Sequence, residues 1–217
     1  MNFSLNYLVR KPKIAIKKPP LLIMLHGYGS NESDLFSFAE HLPDNYLIIS
    51  PRAPLTLGYG SYAWYTINFD AKNGNYSNIS EALEAINKIL NFVDELKTSF
   101  SFNTASITLL GFSQGSILSY SLALSHPITF NNIVALSGYI KHELYKINDK
   151  KSLKKLDIFM SHGIQDQVIP LLWAEKSVQF LSDLNIKHQF KTYPTGHNVT
   201  PQNFYDFNQW LLNKLKA

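Results

Sequence analysis

Residues 107–117, ITLLGFSQGSI, set Ser113 between Gly111 and Gly115 at the exit of an apolar run. A hydroxyl carried on a sharp turn between a strand and a helix stands clear of the main chain, where a carbonyl carbon can reach it. The two glycines lack Cβ, so neighbouring backbone can pass close to that turn. In a chain of this composition about 0.05 such glycine–serine–glycine patterns are expected by chance, so the pattern is informative. The chemistry it offers is nucleophilic attack. A serine hydroxyl attacks only when a base takes its proton and a carboxylate fixes that base's tautomer, so a histidine and an acid must be found elsewhere.

Seven histidines compete for the role of base. His197, in the stretch Pro194-Thr195-Gly196-His197, follows a candidate strand ending near Tyr193, and reactive groups on open parallel sheets gather in loops beyond the carboxyl ends of the strands. His162 and His26 also end candidate strands, but each precedes a glycine and reads as a residue that shapes its turn; His162 is the fallback base. His41, His126, His142 and His188 read as ordinary surface or core positions. Asp166, in SHGIQDQVIP, lies in a loop after the strand 156–160 and is the candidate acid. Asp157 starts that strand, at the wrong end of the sheet, and Asp149 and Asp183 read as solvated carboxylates. The order Ser113, Asp166, His197 is that of α/β-hydrolases and differs from the orders of the chymotrypsin and subtilisin types. Attack creates an oxyanion that needs two preorganised N–H donors. The backbone of Gln114, next after the serine, supplies one. The loop HGYG after the apolar run 21–25 supplies the other, assigned to Tyr28.

These residues need a scaffold. Candidate strands lie at 3–9, 14–16, 21–25, 46–49, 106–110, 132–137, 156–160 and 188–192. Helical periodicity separates most of them, at 31–41, 80–100, 114–124, 170–184 and 200–216, the last opening on Thr200 as a cap with Pro201 in the first turn. Strands that alternate with helices of this length predict a mostly parallel twisted sheet covered on both faces, an α/β fold. The two N-terminal strands, close together in sequence, predict an antiparallel pair at one edge. The stretch 51–78, rich in glycine, asparagine and aromatics, has no assignable regular structure.

The chain of 217 residues, 45% hydrophobic and 17% charged, reads as one domain, 1–217. It has no cysteine, which excludes disulfides, cysteine-ligated zinc and a thiol nucleophile. The formal net charge is +4, but the lysines are dispersed, with loose clusters only at 10–18 and 150–155; this argues for solvated surface and against a nucleic-acid partner. No stretch approaches the ~18 apolar residues of a membrane span, and the first twenty residues lack the apolar core of a signal peptide. The expectation is a cytoplasmic protein without stable membrane association.

With these residues placed, the chain resembles the phospholipase/carboxylesterase family of α/β-hydrolases, which includes acyl-protein thioesterases and small bacterial carboxylesterases. The matching pieces are LHGYGSNESDL, SPRAP, AWY, GFSQGS, SHGIQDQVIP and GH at 196–197, in the family's order across nearly the whole chain. Family members more often read GFSQGG, so Ser116 is a departure, tolerable because serine is also small. The resemblance implies a serine hydrolase without metal or cofactor that cleaves small carboxylic esters or thioesters through an acyl-enzyme. Ser113 is then the nucleophile, His197 the base, Asp166 its orienting carboxylate, and the Tyr28 and Gln114 amides the oxyanion donors. Trp64 and Tyr65 fall where the family has an aromatic pair near the acyl pocket. A long-chain acyl-protein thioesterase or lysophospholipase is the alternative, and a non-catalytic module on the hydrolase scaffold is a lesser one. A homodimer stays open.

Overall fold

A computed structural model describes residues 3–70 and 74–216, with the backbone alone for 68–70 and 74–76. Its centre is a seven-stranded sheet made of β1 (Tyr7–Arg10), β2 (Pro20–Leu25), β3 (Leu47–Pro51), β8 (Asn103–Phe112), β9 (Asn132–Leu136), β10 (Asp157–Gly163) and β11 (Lys187–Tyr193). Their spatial order is β1-β3-β2-β8-β9-β10-β11, and every pairing is parallel except β1 with β3. The antiparallel edge is therefore real, but β1 pairs with β3. The expected strand at 14–16 does not form: Pro12, Pro19 and Pro20 bracket this Lys-rich stretch, and proline cannot donate to a ladder.

The central strands are apolar without alternation because both faces are covered. On β2, Leu21, Ile23 and Leu25 pack into one cluster with α2 (Ile79–Ser99) and α3 (Gln114–Ser125), while Leu22 and Met24 pack into a second cluster with α1 (Ser33–Phe36) and α5 (Pro201–Lys214). The helix α4 (Leu171–Asp183) covers the first face beside β10 and β11. The N-terminus of α5 is closed as anticipated, with Thr200 Oγ1 accepting from Asn203 N at 3.1 Å and Pro201 in the first turn. The helix anticipated over 31–41 is shorter: α1 has four residues and gives way to a 3₁₀ turn at 39–41.

The unassigned stretch 51–78 holds two antiparallel hairpins, β4 (Leu55–Gly58) with β5 (Ser61–Ala63), and β6 (Ile67–Asp70) with β7 (Gly74–Ser77); residues 71–73 lie outside the described residues. The first turns through Gly58, Tyr59 and Gly60, all at positive φ. Among the described residues no helix is long and apolar enough to cross a membrane.

Candidate active site

The parallel register brings the carboxyl ends of the central strands level: Gly111 of β8 faces Leu25 of β2 and Ala135 of β9, and Ser161 of β10 faces Leu136. Ser113 sits just past β8 with φ 53° and ψ −114°, and α3 begins at the next residue. A non-glycine residue held there stores strain, on the order of 1–3 kcal/mol. Its N–H donates to Leu136 O at 2.9 Å, which anchors the turn to β9. The flanking glycines are sterically required. A Cβ on Gly111 would stand 2.4 Å from Gly115 O, and one on Gly115 would stand 1.9 Å from Leu25 O. Ser116 fits because Gly138 faces it; a Cβ at 138 would lie 2.3 Å from the serine hydroxyl.

The structure brings together Ser113, His197 and Asp166. His197 Nε2 is 2.9 Å from Ser113 Oγ, and Nδ1 is 2.6 Å from Asp166 Oδ2. The second oxygen of Asp166 accepts the N–H groups of Val168 and Ile169, both at 2.9 Å. The loops bearing Asp166 and His197 are also tied to each other: Ile164 N donates to Tyr193 O and Gln165 N to Thr195 O. Gly163 permits this approach, since a Cβ there would meet Gly196 O at 2.1 Å. The Asp166 carboxylate is fully buried, whereas the His197 side chain is 16% exposed, so the imidazole alone of this pair faces solvent. Asp157 lies at the opposite end of β10, paired with Lys187 and Lys214.

His162, the fallback base, does not contact Ser113. Its Nε2–H donates to Ile169 O at 2.8 Å and lies 3.3 Å from Asp166 Oδ2, so it packs beneath Asp166 and braces its loop. His26 shapes the loop after β2: Nδ1–H donates to Gly27 O at 2.8 Å while Nε2 accepts from Ala53 N at 3.0 Å. Burial lowers the pKa of His26, which keeps the ring neutral and preserves that donor–acceptor pattern. The same loop is fastened to the exit of β3 by Arg52, which makes a two-bond contact with Glu32, and the guanidinium lowers the pKa of the Glu32 carboxyl. The SPRAP and NESD stretches thus act as one clamp.

Gly27 brings the Tyr28 segment against Ser113, since a Cβ on Gly27 would stand 3.4 Å from Ser113 Cβ. Gln114 N belongs to the first turn of α3, where N–H groups have no partner within the helix. The side chain of Gln114 has a role that sequence reasoning missed. Its Oε1 accepts from Trp64 N at 2.8 Å and its Nε2 donates to Tyr65 O at 2.7 Å, while the Trp64 indole donates to His26 O at 3.0 Å. Trp64 and Tyr65 are therefore bound by backbone and ring to both loops that carry the oxyanion candidates. Their partners lie about fifty residues away in sequence, and the only available signal was the AWY match.

A cleft of about 850 Å³ opens over Ser113 and His197, lined by Tyr28, Tyr65, Phe112, Ile117, Tyr139 and Trp173 among others. Among the described residues no group of three or more His, Asp or Glu side chains is placed to hold a metal ion.

The sheet order, the helices on both faces and the elbow after β8 define an α/β-hydrolase. Residues 11–214 match the family model described as Phospholipase/Carboxylesterase, and the chain belongs to that family of ester-hydrolysing enzymes. It is 27% identical over 243 aligned positions to acyl-protein thioesterase 1 of Cryptococcus neoformans, covering all of both chains. It is 26% identical over 216 positions to a probable carboxylesterase of Oryza sativa, covering 94% of this chain and 80% of that one. Among solved structures, the Bacillus cereus carboxylesterase superposes with a TM-score of 0.82 at 20% identity, covering 96% and 94% of the two chains, and so shares the fold.

Proposed function

We propose that this protein is a serine carboxylesterase that hydrolyses small carboxylic esters or thioesters through an acyl-enzyme, the whole chain acting as one domain. The observation that carries this reading is the unbroken hydrogen-bond path from Ser113 through His197 to buried Asp166, opening on the cleft. His197 Nε2 takes the hydroxyl proton as Oγ attacks the carbonyl carbon, and Asp166 holds Nδ1–H and stabilises the imidazolium that forms. The Tyr28 and Gln114 amides receive the oxyanion. As the tetrahedral intermediate collapses, the bond from carbon to the leaving oxygen or sulfur breaks and His197 returns its proton to that atom. Water, deprotonated by the same nitrogen, then attacks the acyl-enzyme and releases the acid and free Ser113.

The test is a p-nitrophenyl ester series from acetate to palmitate, with matched thioesters, assayed above and below the critical micelle concentration. Turnover that tracks monomer concentration and peaks at short to medium chains is expected, with Ser113→Ala lowering it by several orders of magnitude. The long-chain reading, favoured by the apolar lining of the cleft and by the thioesterase relatives, requires instead an optimum at palmitate or a jump at the micelle threshold.

A further inference from the structure

The cleft has two chemically different sides, and the topology separates them. Ser33–Phe36 forms α1 on the α1/α5 face of the sheet, and the loop bearing His197 leads into α5 on that same face. Beyond the loop Gly27-Tyr28-Gly29, the lining residues from the β2 side are Ser30, Asn31, Ser33, Asp34 and Ser37; from the other they include Tyr139, Val168, Ile169 and Trp173. Tyr139 and Ile169 belong to the cluster on the α2/α3 face. Phe112 instead belongs to the cluster on the α1/α5 face, with Phe36 and Phe38, and the His197 ring rests on Phe112 at a centroid distance of 4.9 Å.

This placement decides which half of an ester goes where. The leaving oxygen must sit beside His197 Nε2 to receive its proton as the C–O bond breaks and the electron pair passes to that oxygen. The alcohol half therefore extends along the side of His197 and α1, and the acyl chain fills the aromatic side. We propose that the arm formed by residues 30–37 selects esters whose alcohol carries further hydroxyl groups, such as polyol or sugar esters, over esters of apolar or anionic alcohols. This rests on the serine-esterase reading above and names its substrate class.

The polar groups of the arm are held in place. Ser30 Oγ donates to Asp34 Oδ2 at 2.6 Å, Asn31 Oδ1 accepts from Ser33 N at 2.9 Å, and Ser37 Oγ donates to Asp34 O at 2.6 Å. A carboxylate has about four acceptor positions, and Ser30 uses one. Hydroxyls both donate and accept, so a serine-rich wall around one carboxylate matches a polyol group for group. Among the described residues no Lys or Arg lines the cleft, so the charge described on this arm, that of Asp34, repels a phosphorylated or coenzyme A leaving group.

The experiment holds the acyl group constant and compares kcat/KM for glycerol monobutyrate, ethyl butyrate, butyrylcholine and butyryl coenzyme A. The glycerol ester should exceed the ethyl ester by about tenfold, mainly through KM, since a hydroxyl bonded to a charged acceptor contributes about that much. Asp34→Ala should bring the glycerol-to-ethyl ratio close to one. Trp173→Ala should alter the dependence on acyl length while leaving the ratio as it was. Equal rates for the two esters, a preference for the choline or coenzyme A substrate, or a ratio that moves with Trp173 rather than Asp34 would overturn the assignment. If no butyrate ester is turned over and Ser113 resists fluorophosphonate, it is the serine-esterase reading itself that fails.

Discussion

Three histidines that each end or follow a strand have different fates, set by what their ring nitrogens meet. Both ring nitrogens of His26 and Nε2 of His162 meet backbone groups, those of residues 27, 53 and 169, whereas His197 meets a carboxylate on one side and a hydroxyl on the other. The position of Asp166 makes a sharp prediction. With two backbone amides on Oδ1 and His197 on Oδ2, replacement by asparagine preserves the shape but offers an N–H or a neutral oxygen where a carboxylate accepted a proton donor. Asp166→Asn is therefore expected to lower kcat by about 10⁴ with KM little changed, through the wrong imidazole tautomer. Asp157→Asn, at the opposite end of β10, should leave kcat within about twofold, and steady-state kinetics on one p-nitrophenyl ester checks both. The convergence of Ser113, Asp166 and His197 was legible because strand ends and glycine turns locate it. The Gln114 side chain was not, because its partners are main-chain groups of residues 64 and 65, which carry no side-chain signature.

At the scale of elements, strands buried on both faces announced themselves. β2, β8 and β10 are apolar runs that end in turn residues, and their carboxyl ends located the site. Elements whose form depends on a distant partner did not. The edge strand β1 pairs with β3, about forty residues away, rather than with the nearby stretch 14–16. The hairpins of 51–78 are three- and four-residue strands, too short for periodicity to register. The elbow carries its own prediction, since α3 can approach β2 only because residue 115 has no side chain. In Gly115→Ala the added Cβ meets the backbone oxygen of Leu25, which cannot rotate away. The expected cost is about 3 kcal/mol or outright failure to fold. Gly196→Ala, whose Cβ has its nearest neighbour at 3.8 Å, should lower the urea midpoint far less.

For the whole molecule, stability should depend on pH through His26 and His126. Burial lowers the folded-state pKa of His26 below its ordinary 6.5, so the unfolded chain binds a proton that the folded protein resists. The associated stability is complete above about pH 6.5 and is lost as pH falls from there toward the folded value, with a slope of at most about 1.4 kcal/mol per pH unit. Burial shifts His126 in the same direction, and the Glu32 carboxyl, lowered by Arg52, adds its share only below about 4.5. Denaturant unfolding between pH 7.5 and 5.0 should thus show falling stability, and His26→Asn should flatten part of that slope; an unchanged slope would mean that His26 is not the group responsible. The central claim concerns one oxygen atom, and it is tested most directly by incubating the full chain with a fluorophosphonate and mapping the adduct by mass spectrometry. One equivalent on the peptide bearing Ser113, absent from Ser113→Ala and strongly slowed in His197→Ala, is the expected result. Labelling of another residue, or an unlabelled Ser113 in folded protein, would contradict it.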